Sequence, residues 1–164
     1  MARAVLWALG VAGLAALWGG GAAERLAARS GAQPSAVAGS EGRVVTLSAD
    51  LRGHYTVHPA VDGKRVRMMV DTGASIVALS HEDAQLAGVA VKPHQFTARI
   101  STANGIVSAA PIRLAEVRIG EIVVRNVEAV VLPKGALATS LLGMSFLKRI
   151  GGFEITGGRL TLRG

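Results

Sequence analysis

The chain has 164 residues, of which 50% are hydrophobic, 18% charged and only 4% aromatic, and its formal net charge is +7 at pH 7. This length accommodates one domain of ordinary size with a tail, and the hydrophobic fraction excludes a wholly disordered chain. Because cysteine is absent, the sequence also excludes disulfide bonds, thiol nucleophiles and cysteine-ligated metal sites.

Residues 1–23 form an apolar leader. Its uncharged stretch, 4–23, would cover about 30 Å as a helix, which is the thickness of a bilayer core. The most apolar part, 5–18, is closer in length to a signal-peptide core, and the small residues at 21–23 suit a signal peptidase. We therefore predict an N-terminal apolar helix that is either a signal peptide or a transmembrane anchor. The glycines of this stretch disfavour a buried globular helix.

From Ser30 to Gly42 the composition turns to Gly, Ser, Ala, Pro and Gln, and we predict a flexible linker over 24–42 ahead of a folded domain at 43–164. Within that domain, apolar residues recur at a period of two or in short runs bounded by glycine, as is typical of β-strands. The turn signals Asp62-Gly63, Asn104-Gly105 and Gly120-Glu121 predict β-hairpins. The predicted strands are 43–48, 55–61, 66–70, 76–79, 96–102, 106–114, 117–119, 122–131, 153–156 and 159–162.

Two short helices complete this mostly β prediction. The first follows a capping box that begins at Ser80 and ends before Gly88. The second covers 144–150, where Phe146, Leu147 and Ile150 are expected in the core on one helix face. The sequence therefore predicts a single domain built mainly from hairpins.

Asp71 is the residue that most needs a chemical explanation. It follows the apolar strand 66–70, and Thr72-Gly73 turns the chain out of that strand. A carboxylate at the end of a buried strand is unfavourable unless it is paired or hydrogen-bonded. An aspartate in a strand-end Asx turn is the structural alternative, and the Asp-Thr-Gly tripeptide alone is a weak motif.

The surroundings of this tripeptide resemble a known family. The run Met69-Val70-Asp71-Thr72-Gly73-Ala74-Ser75 resembles the catalytic loop of retropepsin-like aspartic proteases, and Leu141-Leu142-Gly143 resembles the segment that supports that loop. The hairpin tip near Asn104 falls where the family has its flap. The similarity extends from about Gly53 to Leu162, and it is greatest to bacterial membrane-anchored proteases of retroviral type.

This resemblance implies a closed β-barrel of the acid-protease fold, with a short C-terminal helix, over residues 43–164. It also implies that the protease domain faces the periplasm at a bacterial inner membrane, attached or exported through the N-terminal segment. No metal or organic cofactor is implied, because the catalytic water is activated by carboxylates.

Aspartic proteolysis uses two carboxylates that share one proton, one as base toward a water and one as acid toward the carbonyl oxygen. The chain has a single Asp-Thr-Gly copy, so the resemblance implies a two-fold homodimer in which Asp71 meets its own copy. In the family, the threonine equivalent to Thr72 bonds across to the other loop, while Gly73 lets the substrate approach closely. Asp71, Thr72 and Gly73 are therefore the expected catalytic residues.

The resemblance also implies a polypeptide substrate held between the paired loops and the flaps. The residues expected to contact it are Ala74, Ser75, Ala103, Asn104 and Gly105. The residues expected to support the loop are Leu141, Leu142 and Gly143. A local turn hydroxyl remains an equal alternative for Ser75. Because Ala74 lacks the hydroxyl that steadies the ionised carboxylate in pepsin-like enzymes, we predict a pH optimum of about 5–7 rather than about 2–3.

Other functions remain open on the sequence. A catalytically silent module of the same fold would dimerise or bind an extended peptide without hydrolysing it. A basic lipid- or nucleic-acid-binding β protein would show steep salt dependence, but scattered cations and few aromatic residues argue against a nucleic-acid partner. The four histidines, His54, His58, His81 and His94, are expected on the surface or in loops rather than around a metal.

Overall fold

The computed structural model describes residues 43–102 and 105–164. The predicted leader at 1–23, the predicted linker at 24–42 and the flap-tip residues Ala103 and Asn104 lie outside the described residues. In the two ranges that are described, no helix combines the length and the apolar character needed to cross a bilayer.

Strands dominate the described chain, which confirms the mostly β prediction. The strands are β1 (Val44–Ser48), β2 (Thr56–Val57), β3 (Ala60–Val61), β4 (Lys64–Arg65), β5 (Met68–Val70), β6 (Val77–Leu79), β7 (Ala98–Thr102), β8 (Gly105–Ile119), β9 (Ile122–Val131), β10 (Ser140–Leu142), β11 (Gly152–Thr156) and β12 (Arg159–Arg163). The helices are α1 (His81–Leu86) and α2 (Met144–Leu147), and a 3-10 turn covers Pro93–Gln95.

The clearest differences from the predicted boundaries have physical reasons. The predicted strand 55–61 is divided into β2 and β3 at Pro59, which has no amide hydrogen for a ladder bond. The predicted strands 106–114 and 117–119 are one strand, β8, because pairing with β9 resumes beyond Ala115. The predicted helix 144–150 ends at Leu147, since the N–H of Arg149 bonds to the carbonyl of Phe146 and tightens the last turn.

The strands of the described chain form two sheets. The smaller has the strand order β1-β12-β11, and the larger has the order β2-β5-β10-β6-β9-β8-β3-β4, with β7 paired to β8. In the larger sheet β10 lies between β5 and β6: it runs parallel to β5, with Leu142 opposite Val70, and antiparallel to β6, with Leu141 opposite Ala78. This order brings the end of β5 beside a segment that is distant in sequence.

The hydrophobic residues form two clusters. The main core includes Phe146 and Leu147, as predicted. Ile150, also predicted in the core, is only partly buried and packs against the core from beyond the end of α2. A smaller cluster contains Ala78 and Leu132 and packs against partly buried neighbours such as Ile100 and Leu141. Residues of this second cluster reach the surface beside the loop that carries Asp71.

Candidate active site

Asp71 lies directly after β5, and its side chain is half-buried. Its backbone N–H donates to the carbonyl of Leu142 at 3.2 Å, which extends the β5–β10 pairing by one residue. Its Oδ1 accepts from the backbone N–H of Gly73 at 2.8 Å. Its Oδ2 makes no hydrogen bond to any described residue. The Asx turn allowed by the sequence is therefore present, and it leaves one carboxylate oxygen available.

The other aspartates have structural roles. Asp62 accepts the N–H of Glu116 through its Oδ1 at 2.8 Å. Asp83 accepts the hydroxyl of Ser140 at 2.5 Å. Ser80 accepts the N–H of Asp83 as expected for a helix N-cap, but the Asp83 side chain is directed to Ser140 rather than back to the cap. Asp50 accepts two backbone N–H groups of its own loop. The carboxylate of Asp50 is thus held by its own loop, and those of Asp62 and Asp83 are held by residues distant in sequence.

The segment 141–143 supports the loop closely. Leu141 and Leu142 belong to β10, and Gly143 is the N-cap of α2. A Cβ at Gly143 would overlap the backbone of Ile76 and lie 2.7 Å from the carbonyl oxygen of Ala74. That same carbonyl accepts the N–H of Met144 at 2.8 Å. Only glycine fits this approach, so the helix start and the loop are fixed together.

The remaining loop residues differ in exposure. Thr72, Gly73 and Ser75 are exposed and Ala74 is half-buried. The hydroxyl groups of Thr72 and Ser75 make no hydrogen bond to a described residue. Both hydroxyls therefore remain available to groups outside the described chain.

A cleft of about 440 Å³ opens beside the loop. Asp71 is the only ionisable side chain among the described residues that line it. Its apolar lining residues are Met69, Ala74, Ile76, Ala78, Ile100, Leu132, Ala136, Leu137 and Leu141. Gly73 and Ser75 of the loop and Ser101 and Thr102 of β7 complete the lining. Gly105 pairs with Thr102 at the start of β8 and does not line the cleft within the described chain.

Ser145 was not singled out by the sequence, although it holds the base of the loop. Its Oγ accepts the N–H of buried Val77 at 2.9 Å and donates to the carbonyl of Glu128 at 2.7 Å. It therefore connects α2 to β6 and β9. In the sequence, only its position two residues after Gly143 could have indicated this role, because the residues that it bonds are remote in sequence.

We expect Ser145→Ala to lower the free energy of unfolding by about 1–3 kcal/mol, because the buried N–H of Val77 loses its acceptor. Urea denaturation followed by circular dichroism measures the change. Ser75→Ala is the matched control: it removes an exposed hydroxyl that has no described partner, and should change stability by less than about 0.5 kcal/mol. Equal losses in the two variants would contradict this role.

The histidines do not form a cluster. His54, His58 and His94 are exposed, and His81 is half-buried as the first residue of α1. Across the described ranges, no three His, Asp or Glu side chains come together as a metal site.

The sequence matches a protease family. Residues 57–149 match the family model described as gag-polyprotein putative aspartyl protease. The chain is 45% identical over 125 residues to an uncharacterized protein in the cobV 5′ region of Sinorhizobium sp, covering 76% of this chain and 54% of that protein. It is 42% identical over 112 residues to the uncharacterized protein RP867 of Rickettsia prowazekii (strain Madrid E), covering 68% and 47%. The chain thus spans about half the length of the curated relatives it matches.

Two solved structures are similar to this chain. A retropepsin-like aspartic protease from Rickettsia conorii matches with a TM-score of 0.66 and 39% identity, covering 73% of this chain and 89% of that chain. The EIAV protease, complexed with the inhibitor HBY-793, matches with a TM-score of 0.52 and 14% identity, covering 67% of this chain and 100% of that one, which supports the fold alone. The chain belongs to the retropepsin-like aspartic protease family, and the predicted retropepsin-like fold is confirmed.

Proposed function

We propose that this chain is an aspartic endopeptidase that hydrolyses peptide bonds with a water activated by two Asp71 carboxylates in a homodimer. The observation that carries the proposal is the position of Asp71 in an apolar cleft. Among the described residues that line the cleft, Asp71 has the one ionisable side chain, and its Oδ2 has no described hydrogen-bond partner. Membership of an aspartic protease family supports the same chemistry.

The homodimer is needed because each chain supplies one suitable acid. The carboxylates of the other three aspartates accept hydrogen bonds from described residues, and none of the three lines the cleft in the described chain. Thr72 has an exposed hydroxyl without a described partner, as a bond to a second subunit requires. The small sheet also exposes apolar side chains, with Val44 54% and Ile155 55% exposed. An isologous contact would provide the second Asp71.

The two carboxylates share one proton because like charges a few ångströms apart are not both ionised. The ionised Asp71 removes a proton from water, whose oxygen attacks the peptide carbonyl carbon. The protonated Asp71 gives its proton to the carbonyl oxygen, so a neutral tetrahedral diol forms. Proton transfer to the nitrogen then breaks the C–N bond and releases an acid and an amine. Thr72 and Gly73 keep the two Asp71 carboxylates aligned with each other.

The substrate is an extended polypeptide that lies between the Asp71 loop and the β7–β8 hairpin. Ala74 and Ser75 contact it from the loop, and the tip residues Ala103, Asn104 and Gly105 contact it as a flap. Peptides bound in this way pair with exposed backbone as an added strand. The apolar residues of the cleft would accommodate the side chains next to the scissile bond.

Cleavage and dimerisation are tested together on the 164-residue chain. We expect pepstatin-sensitive hydrolysis of peptides with apolar central residues, and dimers by sedimentation velocity. A dimer that binds these peptides without cleaving them at any pH would indicate the silent module instead. A monomer without cleavage would overturn the proposal.

We also propose that the leader at 1–23 holds or delivers the domain to the periplasmic face of a bacterial inner membrane. Its uncharged apolar stretch supports this proposal. Protease treatment of spheroplasts that express the chain should digest the domain. Full protection of the domain in intact spheroplasts would contradict this location.

The pH profile should depend on Ala74, whose methyl group stands where pepsin-like enzymes have a hydroxyl. We expect wild-type kcat/KM to peak at about pH 5–7 and Ala74→Ser to move the acidic limb down by about one pH unit, because a new donor favours the ionised carboxylate. Ala136→Ser, which adds a hydroxyl elsewhere in the cleft, is the control. A wild-type peak below about pH 3, or identical shifts in both variants, would contradict this role.

A further inference from the structure

A second groove, of about 310 Å³, adjoins the cleft beside Asp71. We call it the basic groove, and its lining residues are Asp50, Arg52, His54, Thr56, Arg67, Met69 and Thr139. Met69 lines both the basic groove and the cleft. The two depressions are therefore neighbours on one surface.

The register of the larger sheet explains this continuity. Thr56 of β2 and Leu141 of β10 lie opposite Met69 from its two sides. Residues directly opposite one another point to the same face of a sheet, so the three side chains form one row. This row begins in the basic groove with Thr56 and ends in the cleft with Leu141.

The basic groove has a carboxylate that its own loop already satisfies. Oδ1 of Asp50 accepts the N–H of Arg52 at 2.8 Å and that of His54 at 2.9 Å, and Oδ2 lies 3.6 Å from Nδ1 of His54. The backbone hydrogen bonds from His54 and then Arg52 hold the pKa of Asp50 below its ordinary value. Asp50 therefore remains an anion that is engaged internally.

The guanidinium groups of the basic groove are not engaged in this way. Arg67 is exposed and has no hydrogen bond or ion pair with a described residue. Arg52 donates its backbone N–H to Asp50, but its guanidinium makes no hydrogen bond or ion pair with any described residue. The groove thus offers two guanidinium groups against one occupied carboxylate. Guanidinium groups bind carboxylates strongly because two parallel N–H donors match the two oxygens.

We propose that the basic groove binds an acidic side chain of the peptide substrate, so that preferred substrates have an apolar centre flanked by Glu or Asp. This inference rests on the proposed function of the Asp71 site. Arg67 precedes Asp71 by four residues, which is about 13 Å of extended chain. An extended substrate covers that distance in about four residues, which places the acidic side chain three or four positions from the scissile bond. In a two-fold dimer the groove occurs at both ends of the substrate.

Matched peptides test this specificity. Two peptides share an apolar centre and differ only in Glu or Gln at the third and fourth positions on both sides. We expect wild-type kcat/KM to favour the Glu peptide by about fivefold at low salt, and added salt to reduce that ratio. Arg67→Gln should reduce the Glu-to-Gln ratio to less than about twofold. Arg67→Glu should instead favour a third peptide, with Lys at the same positions, over the Glu peptide. Arg52→Gln is a second, independent variant with the same expected direction.

Arg159→Gln is the matched control, since it removes one exposed arginine of β12 that lies outside the groove and should keep the wild-type ratio. Equal cleavage of the Glu and Gln peptides by wild type would overturn the inference. Binding of the same labelled peptides to the Asp71→Asn chain, measured by fluorescence anisotropy, separates the two proposals. Glu-selective binding without wild-type cleavage would refute the protease function and support the groove. Unselective binding would refute the groove, whether or not wild type cleaves.

Discussion

Asp71→Asn is expected to lower kcat/KM for peptide hydrolysis by at least about 10⁴-fold, because an amide neither accepts a proton from water nor donates one to the carbonyl oxygen as a carboxyl group does. Peptide binding and dimerisation should persist, since the side chain keeps its shape and its Oδ1 can still accept the N–H of Gly73. Hydrolysis of a fluorogenic peptide, with binding measured by anisotropy, provides the two readouts.

Asp62→Asn is the matched control for this substitution. Asp62 has a positive φ of 47° and accepts the N–H of Glu116 through Oδ1. Asparagine tolerates this backbone conformation and keeps the acceptor. We therefore expect nearly wild-type hydrolysis from Asp62→Asn. Comparable activity in Asp71→Asn and wild type would remove Asp71 from the chemistry.

Gly143→Ala should have the largest effect on stability, with a loss of about 3 kcal/mol or more in the free energy of unfolding. The added Cβ would overlap the backbone of Ile76 and lie 2.7 Å from the carbonyl of Ala74. Both residues belong to the short loop between β5 and β6, which has little room to move. The displaced loop should also lose hydrolysis. Urea denaturation and peptide hydrolysis measure the two effects.

Gly135→Ala is the control that separates the steric overlap at Gly143 from the general cost of replacing a glycine. Gly135 has a φ of +78° and no atom within 4 Å of an added Cβ. Its replacement should cost about 1 kcal/mol through backbone strain alone. If Gly143→Ala were no more destabilising than Gly135→Ala, the close approach beneath the Asp71 loop would not be a requirement of the fold.

The elements that were predictable are those encoded by local pattern. β9 has the predicted bounds, 122–131, because alternating apolar residues follow the Gly120-Glu121 turn. The two-stranded pairing of 153–156 with 159–162 was likewise signalled by the glycines at 157 and 158. The division at Pro59 follows from a residue visible in the sequence, which lacks the amide hydrogen for a ladder bond. The end of α2 at Leu147 was less visible, since it depends on how hydrogen bonds end in three dimensions.

The parts of the site that belong to a recognisable motif were predictable from the sequence. The parts that depend on contacts between distant segments were not. Asp71 and the 141–143 segment were identified by resemblance, and the structure places them in contact. The role of Ser145 was not predictable, because its partners Val77 and Glu128 are 68 and 17 residues away. The basic groove was missed for the same reason, because it is assembled from three separate parts of the chain.

Subunit mixing tests the shared pair of carboxylates most directly. The Asp71→Asn chain is added in roughly ninefold excess to wild type under conditions of subunit exchange, and peptide hydrolysis is measured per wild-type chain. If activity requires an Asp71 from each subunit, random pairing leaves about one wild-type chain in ten with a wild-type partner, so hydrolysis should fall about tenfold. Hydrolysis per wild-type chain that stays unchanged at every mixing ratio would contradict the dimeric site.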